Sequence, residues 1–182
     1  KVTKTQSNGE YIVSNVEIAN IENSQTSTSS ITVENDNNTI QVTVPNKRIT
    51  GGYSLQILKV DEQDTNTKLS GAKFKITLPD GSQREETTNS DGIINITGIK
   101  IDEEGIDTIK IEEITPPTGY EKIFNSFEIK VTKTQSNGEY IVSDIEITNI
   151  ENGQNSEAEI VADNTNNTVQ VTVPNKKITG GY

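Results

Sequence analysis

The chain has no cysteine, histidine, methionine or tryptophan. Without cysteine there are no disulfides and no thiolate chemistry. Without cysteine or histidine there is no zinc site of the usual kind and no histidine-based catalytic triad. Aromatic residues are scarce, three Phe and five Tyr in 182 residues, which is thin material for a protein-binding hot spot. No apolar run approaches a membrane span. The opening KVTKT lacks the pattern of a signal peptide, so the sequence reads as an internal segment of a mature chain. Positive charge is also short: 16 Lys and Arg against 27 Asp and Glu give a net charge of −11. That balance argues against a nucleic-acid backbone or an anionic membrane surface as partner. If secreted, such a chain needs a stabilising device other than disulfides.

What is plentiful is Thr, Asn and Ile, a β-branched bias broken by turn dipeptides. Asn8-Gly9, Asp80-Gly81, Asp91-Gly92 and Asn137-Gly138 have the composition of hairpin turns, where positive φ is needed. No helical period is evident, and the expectation is an all-β chain.

Aligning residue 1 with residue 130 leaves 39 of 53 positions identical, including KVTKTQSNGEYIVS and QVTVPNK in full. The mismatches concentrate in a polar stretch, 24–36 and its counterpart 153–165, which reads as a variable surface loop. Residues 54–129 occur once. The parse that follows is a complete repeat over 50–178, preceded by the C-terminal part of another repeat at 1–49 and followed at 179–182 by the start of a third. Ile49-Thr50-Gly51-Gly52 then forms a joint. A polar fragment such as 1–49 buries too little surface to fold alone.

Alternation along the expected strands places Leu55 and Ile57 on one face, and that face continues to Lys59. Ala72, Phe74, Ile76 and Leu78 form an inward row, as do Phe127, Ile129 and Val131. Ile109 and Ile111 lead to Glu113, and Val171 and Val173 lead to Asn175. Singly, each of these polar residues reads as a strand end reaching solvent. Together, on the first, a middle and the last strand of one domain, they read as an internal site.

The ordered segments LQILKVDE, LSGAKFKITL, TTNSDGIINITGI, IEEITPPTGY and VTVPNKK resemble the successive motifs of CnaB-type (SpaA-like) domains of Gram-positive surface and pilus proteins. The resemblance implies an antiparallel β-sandwich of the prealbumin-like or reversed immunoglobulin-like type, here in tandem repeats. It also implies a spontaneous isopeptide bond between Lys59 and Asn175, assisted by Glu113. Asn46, the counterpart of Asn175, would join a lysine of another repeat or of another copy of the chain. Residues 132–168 are longer than in a minimal member, so extra strands or a long hairpin are expected. The function implied is a structural repeat of an extracellular, cell-wall-anchored stalk, fibre or pilus, with adjacent repeats as partners.

Two rivals remain open at this point. One is an adhesin domain recognising host matrix or glycans through polar loops such as 150–168. The other is a pilin polymerised covalently to its neighbours, although no LPxTG-like sorting signal is visible. A turnover enzyme is disfavoured because adjacent carboxylates such as Glu112/Glu113 and Glu103/Glu104 point to opposite faces of a strand. No cofactor or metal is implied. Asp61 and Asp64 lack the glycine and terminal glutamate of an EF-hand loop.

Overall fold

The computed structural model describes residues 1–19, 31–46, 48–153 and 159–180, and every regular element among them is a strand. The chain forms two compact units, Lys1–Arg48 and Ile49–Tyr182.

The first unit is two hairpins, β1 (Val2–Ser7) with β2 (Glu10–Val16) and β3 (Thr32–Asp36) with β4 (Thr39–Thr43). Asn8-Gly9 makes the first turn with both residues at positive φ, as its composition predicts. The second turn is Asn37-Asn38, also at positive φ, a conformation that asparagine tolerates better than most residues. The hairpins are tied by Val13 N–H donating to Asn38 Oδ1 at 3.0 Å and Asn35 Nδ2 donating to the Val13 carbonyl at 2.8 Å.

The second unit contains β5 (Gly51–Asp61), β6 (Lys73–Thr77), β7 (Gln83–Thr87), β8 (Ile93–Ile101), β9 (Gly105–Thr115), β10 (Tyr120–Lys122), β11 (Ser126–Ser136), β12 (Glu139–Glu151), β13 (Val161–Thr165) and β14 (Thr168–Lys177). One layer holds β8, β5 and β14, with β10 and β13 along the outer edge of β14. The facing layer runs β12, β11, β9, β6, β7. The layers meet where Gly51 pairs with Tyr140. A side chain at Gly51 would collide there, its Cβ falling 2.4 Å from the Tyr140 carbonyl oxygen. The core between the layers is mostly Ile and Val, with Tyr53, Leu55, Ala72, Phe74, Leu78 and Phe127. This is the expected all-β sandwich.

Pairing is antiparallel apart from the contacts of β5 with β14 and β12. The first and last strands of the unit run parallel, from Thr168 opposite Ser54 to Asn175 opposite Asp61. A parallel pair cannot be joined by a tight turn, and here the whole unit serves as the connection.

The extra length expected in 132–168 becomes the long β11–β12 hairpin, turning at Asn137-Gly138, and the added edge strand β13. The polar stretches 24–36 and 153–165 are therefore not loops throughout: each ends in a strand, β3 or β13, while 24–30 and 154–158 lie outside the described residues. Asp80-Gly81 turns the β6–β7 hairpin as expected. Asp91-Gly92 does not make a hairpin. It lies between β7 and β8, which belong to different layers.

Gly92 also sets the position of β5. Its carbonyl accepts from Lys59 N–H at 2.8 Å, and a Cβ there would lie 2.7 Å from the Lys59 carbonyl oxygen. With φ at +72° and no room, Gly92→Ala is expected to destabilise the second unit by about 1–3 kcal/mol, measured by urea denaturation.

Candidate functional site

Four of the strand rows that line the core carry polar chemistry at one or both ends. On β5 the row is Tyr53, Leu55, Ile57, Lys59, and on β9 it is Asp107, Ile109, Ile111, Glu113. On β11 it is Phe127, Ile129, Val131, Lys133, and on β14 it is Val169, Val171, Val173, Asn175. The rows bring Lys59, Glu113 and Asn175 together at one end of the sandwich, as polar residues terminating apolar faces.

Lys59 and Asn175 are fully buried and Glu113 is 3% exposed. Parallel pairing puts Val173 opposite Lys59, and Lys59 Nζ donates to the Val173 carbonyl at 2.7 Å. Asn175 is the next inward residue on the same strand. Its Nδ2 donates to Glu113 Oε1, across the core on β9, at 2.8 Å. Two further oxygens, Glu113 Oε2 and Asn175 Oδ1, are buried without a hydrogen-bond partner.

Burial sets the electrostatics. Loss of hydration lowers the Lys59 pKa from 10.5 to about 7, against the opposing pull of the Glu113 carboxylate. Burial pushes Glu113 up, while Lys59, the Asn175 hydrogen bond and Lys122 pull it back. Burial therefore shifts both groups towards their neutral forms, against the charge attraction between them.

The neighbouring loop is held by Asp61, two residues beyond Lys59. Burial alone would raise its pKa, but bonds from Gln63 N–H, the Tyr120 hydroxyl and Asp64 N–H outweigh this and lower it. Asp64 similarly binds Asn66 N–H and the Thr67 hydroxyl. These carboxylates organise their own loop, and Asp61 fastens Tyr120 of P-x-G-Y to the β5 end. Asn46 lies in the first unit and is exposed.

A second polar cluster closes the opposite end of the core, and the sequence reading missed it. Lys133 Nζ lies 2.6 Å from Asp107 Oδ1, and the Tyr53 hydroxyl donates to Asp107 Oδ2 at 3.0 Å. Burial first, then the charge of Asp107, raises the Tyr53 pKa. The signal was present in the same alternation: extending each row by one step reaches Tyr53, Asp107 and Lys133.

The fold and the site define a class: an all-β sandwich whose first strand carries a buried lysine beside an asparagine on a parallel last strand. A family model described as the SpaA prealbumin-like fold domain matches residues 53–146. The chain belongs to that family. No curated protein sequence matches it. Among solved structures it is similar to the C-terminal fragment of the pilus adhesin SpaC from Lactobacillus rhamnosus GG, at 18% identity and a TM-score of 0.53 over 84% of this chain and 55% of that one. The T6 backbone pilin of Streptococcus pyogenes matches at 19% identity and a TM-score of 0.42, over 70% of this chain and 35% of that one. The chain thus spans about half the length of the SpaC fragment, and the likeness is one of fold.

The buried Lys133–Asp107 pair yields a stability test. Asp107→Asn leaves the Lys133 charge buried without its counter-ion and is expected to cost about 3–5 kcal/mol in chemical denaturation. Adding Lys133→Met should recover much of that loss.

Proposed function

We propose that the second unit is a self-cross-linking structural module of a Gram-positive surface stalk, fibre or pilus. In this reading Lys59 and Asn175 form an isopeptide bond under the influence of Glu113. The observation that carries it is the convergence of these three residues, buried together, with Asn175 held on the Glu113 carboxyl.

The reaction is an amide exchange. The Lys59 Nζ lone pair attacks Asn175 Cγ, the Cγ–Nδ2 bond breaks, and ammonia leaves as the Nζ–Cγ amide forms. Glu113 donates a proton towards the amide and regains one from the attacking amine, ending as it began. A protonated Glu113 suits this setting, since it leaves one fewer bare acceptor among the buried, unpartnered oxygens Glu113 Oε2 and Asn175 Oδ1. The packed core excludes water and holds amine and amide in place, which replaces a costly encounter by an intramolecular step. Ammonia leaves once per molecule, so the event is maturation and not turnover.

The bond would close a loop from residue 59 to residue 175. Cross-links closing loops of roughly a hundred residues stabilise by about 4–5 kcal/mol in the chain-entropy account. Tension entering at β5 and leaving after β14 would pass through the bond and spare the strands between. A chain without cysteine thereby gains a covalent lock independent of redox conditions.

Intact mass is the direct test. The 1–182 chain is expected to fall short of its sequence mass by about 17 Da, the ammonia lost in acyl exchange. Glu113→Ala is expected to keep the full mass while still folding. A full mass in the unmutated chain would overturn the reading.

The pH dependence follows from Lys59. Its folded pKa of about 7 lies below the ordinary 10.5, so the amine is free above about 7 and protonated below it. Followed by mass during refolding, bond formation should slow as the pH falls through about 7.

A further inference from the structure

The two copies of the repeated sequence adopt the same local structure in different surroundings. Both hairpins carry the same irregularity, between Thr3 and Lys4 and between Thr132 and Lys133. The ties Val13–Asn38 and Asn35–Val13 recur as Val142 N–H to Asn167 Oδ1 and Asn164 Nδ2 to the Val142 carbonyl. Yet Val42 and Val44 are 55% and 62% exposed, whereas their counterparts Val171 and Val173 are 0% and 2%. Val2 and Ile40 are likewise exposed where Val131 and Val169 are buried. At the ends of this face Lys4 and Asn46 are exposed, while Lys133 and Asn175 are buried. A ready-made strand edge beside a bare apolar face is a surface that invites pairing.

The second unit specifies what fits. There the face is covered by the segment beginning at β5, which runs parallel to β14. Its Lys59 donates to the Val173 carbonyl and its Glu113 accepts from Asn175, while its Asp107, bonded by Tyr53, pairs with Lys133. We infer that residues 1–48 are the receiving half of a second sandwich, whose occupant is a polypeptide segment with the pattern of residues 50–129. In the matching register Thr39 to Asn46 pair in parallel with a strand like Ser54 to Asp61. The occupant then presents a lysine and a glutamate to Asn46, and an aspartate and a tyrosine to Lys4. An intact second copy does not qualify, because its β5 is already paired with β14 along one edge and β8 along the other. The docking rests on the bare face alone. The bond at Asn46 rests in addition on the chemistry proposed for Lys59 and Asn175.

The test places a second copy of residues 50–129 directly ahead of Lys1 in the full chain, which recreates the continuity of residue 129 into residue 130. Amide hydrogen exchange at 39–44 should slow by about a hundredfold or more relative to the 1–182 chain. The mass should fall short by about 34 Da, two ammonia losses, instead of about 17 Da for one. Asn46→Ala in the extended chain should return the deficit to one ammonia and leave the exchange protection in place. Unchanged fast exchange at 39–44 in the extended chain would overturn the inference. So would 1–182 running as a dimer with those amides protected, since the occupant would then be a second copy. A 1–182 chain that loses no ammonia defeats the cross-link proposal, and the exchange measurement still judges the docking.

Discussion

The parallel pairing of β5 with β14 is the constraint on which the rest of the second unit depends. It joins the first and last strands in one register, so Lys59 faces Val173 and lies one inward step from Asn175. An antiparallel arrangement of the same strands would send the two polar ends to opposite sides of the core. Between the two strands the chain crosses to the facing layer and returns more than once, and β9 brings Glu113 to the same end on one of those passages. Gly92 and Asp61 fix the immediate surroundings, one through the space left for Lys59 and the other through its hold on Tyr120.

The two ends of the core answer the cost of burying charge in different ways. At one end Lys133 and Asp107 meet at ion-pair distance, with the Tyr53 hydroxyl satisfying the second carboxylate oxygen. At the other, Lys59 donates to a carbonyl, and Glu113 accepts from a neutral amide. Burial then lowers the basicity of the amine and raises that of the carboxylate, and the pair tends towards neutrality. The first end is built as a clasp. The second shifts its amine towards the uncharged form.

The same sequence in two surroundings separates local from global causes. KVTKTQSNGEYIVS folds as a hairpin in both units, with the same turn and the same shift of register, because those features come from Asn-Gly and from strand alternation within the segment. Burial of its valines is not a property of the segment. Val131 is buried and Val2 is exposed because the covering strands stand over one of them. The Asn37-Asn38 and Asn166-Asn167 turns were less legible, since an asparagine pair is a weaker hairpin sign than Asn-Gly.

By itself the sequence determined the strand class, the repeat, most turns and the inward rows ending in Lys59, Glu113 and Asn175, because alternation along a strand is a local property with a period of two. The same rule extended backwards reaches Tyr53 and Asp107, and extended forwards it reaches Lys133. What it does not contain is which rows share an end. Asp91-Gly92 has the composition of a hairpin turn yet lies between strands of opposite layers, and no dipeptide records that difference. Only the tertiary structure decided that β14 returns parallel to β5 and that β9 faces them, so that residues far apart in the chain meet in a dry core. Strand pairing across such separations is chosen by the packing of the whole sandwich, where burying the Ile and Val rows together outweighs any preference carried by one strand.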